Sequence, residues 1–158
     1  MGRSQESAKI TPKANLILAS GSQSRKEMLE EAGIAFDVVV SSANEEYIKS
    51  KIASLKFEEQ VVHLAKAKAE KVSSDNPSSV VIGGDQMCVL DNKLLHKPGS
   101  KEKAAASLKQ LAGQKHFQHS GVCLFKNKKC IWEYSETVTL KMHDLSEKEI
   151  INYVEMEN

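Results

Sequence analysis

The stretch that most constrains this chain is Val80-Val81-Ile82. It follows the turn-forming segment Asp75-Asn76-Pro77-Ser78-Ser79 and breaks off at Gly83-Gly84-Asp85. A short apolar run bounded in this way reads as a fully buried strand. Its end is chemically unusual, because two glycines let backbone approach a ligand closely and an acid follows directly. Ligand sites in α/β folds lie outside the carboxyl ends of strands, so Asp85 is a candidate general base or metal ligand there, although the same residue also suits a turn or cap.

A second apolar run, Leu16-Ile17-Leu18, stops at Ala19-Ser20-Gly21-Ser22-Gln23-Ser24. A helical pattern follows from Arg25, with Met28, Leu29 and Ala32 on its face and Gly33 at its end. A loop of small hydroxyl residues between a strand and a helix N-terminus offers unpaired N–H groups to a phosphate. Serine capping is the plainer alternative, and no GxxxxGK[ST] loop is present. Residues 34–40, with Phe36 and three valines, read as a second strand before the polar segment Ser41-Ser42-Ala43-Asn44-Glu45-Glu46.

A helix is expected from about Glu58 to Ser73, with Val61, Leu64, Ala65 and Val72 in one stripe. Lys68 falls inside that stripe while Lys66 and Glu70 face away. Such a lysine either snorkels its ammonium to water or holds an anion at the floor of a cleft. On their own, Glu45 and Glu46 read as solvated loop charges and Asn44 as a turn residue. Lys97-Pro98 restricts the backbone before the proline and either aims Lys97 at a phosphate or leaves it on a surface turn.

Further on, Ser100 and Gly113 bracket a helix from about Lys101 to Ala112. Residues 120–125 and 130–134 should form a hairpin, with 137–142 as a third strand. Ser146 and Glu149 form a capping box for a last helix towards Met156.

Composition narrows the function classes. At 158 residues, with 41% hydrophobic and 27% charged residues, the chain suits one globular domain, expected at 14–158 behind a flexible leader at 1–13. Its 22 basic and 21 acidic residues lack the basic field of a nucleic-acid binder, so any anion site must be local. No run reaches about 18 apolar residues, so no membrane span is expected. Cys88, Cys123 and Cys130 lack the spacing of a disulfide framework or zinc knuckle, which fits a reducing cytoplasm. His116 and His119 have no metal-ligand partners at recognisable spacing and read as surface or core residues.

Taken together, these positions resemble the Maf family of nucleoside triphosphate pyrophosphatases. The similarity rests on Leu18-Ala19-Ser20-Gly21-Ser22-Gln23-Ser24-Arg25, Leu64-Ala65-Lys66-Ala67-Lys68-Ala69, Gly83-Gly84-Asp85, Lys97-Pro98, and Gly113-Gln114-Lys115-His116 with Ser120-Gly121-Val122. It runs from about Leu16 to Tyr153. The resemblance implies an elongated α/β fold related to inosine triphosphate pyrophosphatases, with a mixed sheet and flanking helices around a central cleft.

It also implies hydrolysis of a nucleoside triphosphate to the monophosphate and pyrophosphate with a divalent cation, Mg²⁺ or Mn²⁺. Carried over by position, Asp85 is the catalytic acid/base and shares a metal with Glu45. Ser20, Ser22, Arg25, Lys68 and Lys97 hold phosphate, and Gln86 lines the base pocket. Gln86, with Met87-Cys88-Val89-Leu90-Asp91, resembles the 7-methyl-GTP branch rather than the dTTP/UTP branch.

Two departures accompany the resemblance. Asn44 stands where the family carries aspartate, lowering the negative charge offered to a cation. The chain ends at Glu157-Asn158, where relatives continue through a further segment, so reduced stability or reliance on a partner chain is expected. A homodimer is the family expectation, and the alternative function is a catalytically impaired nucleotide-binding regulator linked to septum formation.

Overall fold

A computed structural model describes residues 15–95 and 99–156. The expected leader at 1–13 and the Lys97-Pro98 element therefore lie outside the described residues. The described chain is a mixed α/β structure that divides into two compact units. One comprises 15–85 with 120–135, and the other comprises 86–119 with 136–156.

In the first unit, β1 (Leu16–Leu18) is flanked in parallel by β2 (Asp37–Val38) and by β3 (Val80–Leu90), with Ile17 opposite both Asp37 and Val81. Parallel neighbours need long crossovers, which α1 (Gln23–Glu31) supplies on one side and α2 (Glu45–Ile52) with α3 (Phe57–Asp75) on the other. The full strand order is β2-β1-β3-β5-β6, where β5 spans Lys115–Lys126 and β6 spans Lys129–Lys141. Asn127 and Lys128, with φ of 52° and 65°, form the two-residue turn between them, as a tight hairpin requires.

α3 shapes the core. Val61, Leu64, Ala65 and Ala69 are fully buried on its inner stripe, and Ala65, Ala69 and Val72 join Ile17, Ala19, Val81, Cys123 and Phe125 in one cluster. Fully burying a side chain the size of Val61 or Leu64 contributes about 1.5–3 kcal/mol. Two glycines let the helix lie this close. A Cβ on Gly83 would collide with the Ala65 carbonyl oxygen, and one on Gly121 would come within 2.8 Å of the Val61 backbone. Gly83→Ala should therefore push α3 off the sheet.

In the second unit, residues 88–90 of β3 pair antiparallel with β4 (Lys93–Leu95) through a turn at Asp91 and Asn92, both with positive φ. α4 (Lys101–Leu111) starts at a Ser100 cap and packs against α5 (Glu147–Met156), which buries Ile150 and Val154. The capping box of α5 is reciprocal: the Ser146 amide donates to Glu149 Oε1 at 3.0 Å, and the Glu149 amide donates to Ser146 Oγ at 3.1 Å. No described helix is long and apolar enough to cross a membrane.

Four sequence expectations need correcting. α1 begins at Gln23 rather than Arg25 and has no buried residue, with Met28 65% exposed, so its spaced apolar residues do not face a core. The expected strand at 34–40 shortens to Asp37–Val38, because its pairing with the three-residue β1 ends there apart from one bond from the Val39 amide to the Leu18 carbonyl. The segment at 44–46 opens a helix instead of remaining a loop. The expected strands at 130–134 and 137–142 are one strand, β6, which continues through Ser135 and Glu136.

Candidate functional site

The loop after β1 turns back on itself through serine hydroxyls. Buried Ser20 Oγ accepts from the Ser22 amide at 3.1 Å and from Arg25 Nη1 at 2.9 Å. Ser22 Oγ caps α1 by accepting from the Arg25 amide at 3.3 Å. Arg25 is thus tied to this loop at both its backbone and its guanidinium. Burial lowers its pKa, opposed by the nearby charges of Asp85 and Glu45. An arginine starts so far above neutrality that it remains charged.

Lys68 meets the same carboxylates from the other side. Its Nζ donates to Asp85 Oδ1 at 3.0 Å and lies 3.8 Å from Glu45 Oε1. Only 11% of the Lys68 side chain and 13% of the Asp85 side chain are exposed, whereas Glu45 retains 44%. The lysine on the buried stripe therefore does not snorkel to water; it ends on a carboxylate. Glu45 is the first residue of α2, and Asn44 positions it by capping that helix, its Oδ1 accepting from the Tyr47 amide at 3.1 Å. Asparagine caps a helix as well as aspartate does.

Ser20, Arg25, Glu45, Lys68 and Asp85 thus converge within the first unit. Two cations and two anions balance, so the cluster carries no formal excess charge in the free protein. Burying charges is tolerable only when they are paired in this way.

The other described sequence candidates make no bond to the two carboxylates. Ser22 is spent as a cap. Gln86 belongs to the second unit, is exposed, and donates from Nε2 to Gln118 Oε1 at 3.0 Å. Strand alternation sends it to the opposite face of β3 from Asp85. Lys97 is outside the described residues. His116 and His119 are buried; His119 Nδ1 lies 2.8 Å from Thr137 Oγ1, and His116 Nδ1 has no hydrogen-bond partner among the described residues. All three cysteines are free, and burial is the main cause that pushes the Cys123 thiol up to about 12, which removes it as a nucleophile.

Two features escaped the sequence reading. One is α2, whose N-terminal pattern of Asn44 followed by Glu45 and Glu46 was a legible cap signal. The other is the contact of Gly84 with Arg25 in place of a ligand: a Cβ there would sit 2.8 Å from Nε and 3.3 Å from Cζ.

The donor set suits a hard dication held in part by a ligand. Glu45 and Asp85 converge on one point, the Lys68 ammonium, and among the described residues no three His, Cys, Asp or Glu side chains could close a site around a metal. Two carboxylates of this kind could hold a hard divalent cation only together with water or ligand oxygens.

Comparison with known proteins places this geometry in context. The profile of the family described as Maf-like protein matches residues 15–158. A protein of Legionella pneumophila (strain Philadelphia 1) named nucleoside triphosphate pyrophosphatase is 39% identical over 150 residues, covering 95% of this chain and 75% of the relative. One of the same name from Maricaulis maris is 37% identical over 139 residues, covering 88% and 71%. Among solved structures, a HAM1 protein from Coxiella burnetii matches with a TM-score of 0.50 at 15% identity, over 80% of this chain and 70% of that one, a likeness of fold alone.

Proposed function

The chain belongs to the Maf family, and from that premise we propose that it is a nucleoside triphosphate pyrophosphatase that splits its substrate between the α and β phosphates. The observation that carries the reading is the convergence of Lys68 and Arg25 on Asp85 and Glu45 beside the Ser20 loop. A triphosphate brings several negative charges to a cluster with no surplus of cations. Glu45 and Asp85 would hold a divalent ion, which leaves Lys68 and Arg25 to turn to phosphate oxygens. When bound, that ion supplies charge neutralisation at the phosphates.

This chain's own residues do the rest in the proposal. Ser20 and Arg25 bind phosphate next to the first helix turn, where unpaired amides favour anions. Lys97 remains a phosphate ligand on sequence grounds. Asp85, released by Lys68, would then take a proton from water. As water adds to phosphorus, the bridging P–O bond breaks and its electron pair leaves with pyrophosphate. Catalysis here is positioning and electrostatics, as phosphoryl transfer generally requires.

The resemblance around Gln86 supports a modified purine substrate such as 7-methyl-GTP. The test is a panel of nucleoside triphosphates, 7-methyl-GTP included, with Mg²⁺ or Mn²⁺ and a pyrophosphate readout. Asp85→Asn should lower turnover by about 10²–10⁴-fold while the nucleotide-induced rise in Tm persists. Absence of turnover by a well-folded sample on every nucleotide, or undiminished turnover in the Asp85 variant, would falsify the reading.

A further inference from the structure

Gly84 lies in the interior of β3, and its φ is not positive, so backbone conformation does not require glycine there. Glycine in a strand interior weakens the strand and marks a place where something approaches closely. What approaches is Arg25: a Cβ on residue 84 would stand 2.8 Å from Nε, 3.2 Å from Cδ and 3.3 Å from Cζ. The guanidinium end of the side chain therefore lies against bare backbone. In that position Nη1 donates to Ser20 Oγ at 2.9 Å, and the same oxygen also accepts from the Ser22 amide at 3.1 Å. Two groups assigned to phosphate above are thus spent on one another.

We propose that Gly84 is a positioning residue that lets Arg25 park on Ser20, so that nucleotide must displace this contact in order to bind. The inference rests on the proposed function for its kinetic consequence but not for its packing. Any side chain at 84 removes the parked position, lifts the guanidinium from β3 and frees both Arg25 and Ser20 for phosphate. A protein that need not break an internal contact binds its ligand with a higher apparent affinity, by the fraction of molecules that become competent.

The experiment is a double-variant cycle with two readouts. Gly84→Ala should lower KM for the best nucleotide about three- to tenfold, with kcat changed less than twofold; this is the scale of one partly released charge-assisted hydrogen bond. The change should vanish when Arg25 is Ala. In thermal unfolding without nucleotide, Gly84→Ala should raise Tm in the Arg25→Ala background, where the added methyl meets no guanidinium and stiffens the unfolded chain. It should leave Tm unchanged or lower in the presence of Arg25.

A rise in KM, a change confined to kcat, or an identical Tm effect in both backgrounds overturns the inference. The Tm cycle reads the contact in the protein alone, so it stands or falls separately from the pyrophosphatase reading. Absence of turnover in the parent protein would remove that reading and leave the parked arginine to be judged by unfolding.

Discussion

Lys66 and Lys68 stand two residues apart on α3 and live in different electrostatic worlds. Two residues along a helix turn the side chain by about 200°, so one faces the sheet and the other faces solvent. Lys68 is 11% exposed and bonds Asp85 at 3.0 Å; Lys66 is 36% exposed and bonds Glu133 at 3.1 Å. The distances are nearly equal, but solvent separates the two pairs energetically. An exposed pair contributes about 0–1 kcal/mol. A buried pair gains little net stability over an apolar pair, yet removing one partner costs about 3–5 kcal/mol because the other charge is left stranded. A buried pair that gains so little for the fold is better explained by what it does.

The largest effect should come from breaking the inner pair. Lys68→Met should destabilise the protein by about 2–4 kcal/mol, at or just below the usual range for a stranded charge because Arg25 still faces Asp85. Turnover should fall at least about a hundredfold. Adding Asp85→Asn should recover much of the stability, read by urea denaturation, and none of the turnover. Recovery of both would mean that the pair serves the fold alone.

The inner face also holds a thiol. Cys123 packs with Ala65 and Ala69 of α3, and burial is the chief cause holding its pKa at about 12. The folded protein therefore keeps a proton that the unfolded chain releases from about pH 9. This contribution to stability is intact below pH 9 and is lost as pH climbs towards 12. Between pH 9 and 10 the loss should be about 1 kcal/mol. Cys123→Ser, with no thiol to ionise, should be less stable at neutral pH but should lack that decline. Parallel pH slopes for the two proteins would show that the thiol is not responsible.

The contrast between the two faces of α3 also explains what could be read from sequence. Helical periodicity singled out Lys68 as a cation on an apolar stripe, and the end of the Val80-Val81-Ile82 run singled out Asp85. Each is a local signal. That the two meet depends on parallel pairing of β1 with β3 and on α3 lying close to the strand across Gly83, which no local pattern encodes.

Glu45 looked like a solvated loop charge because its partner is 23 residues away on another helix; only the cap signal at Asn44 was available locally. Arg25 was placed on the right loop, but its apolar stripe misled, since Met28 packs on nothing that buries it. Gly84 was read as freedom for backbone to approach a ligand. The group that approaches it is a side chain of the protein itself.

The smallest effect should come from the outer pair. Lys66 and Glu133 border an open groove of about 530 Å³ with Glu58, Glu59, Val62, His63, Tyr134 and Ser135, and none of the five converging site residues lines it. The Glu133 hydrogen bond is the main cause that raises the Lys66 pKa. A raised lysine pKa adds stability that is complete below about pH 10.4 and fades as pH rises through the folded value. Because both side chains are more than a third exposed, water and salt screen most of that gain.

Lys66→Met should therefore cost no more than about 0.5 kcal/mol at neutral pH, shrink further at 1 M salt, and leave kcat/KM within twofold. A loss of turnover on the scale of Lys68→Met would break the division of α3 into a working face and a solvated face.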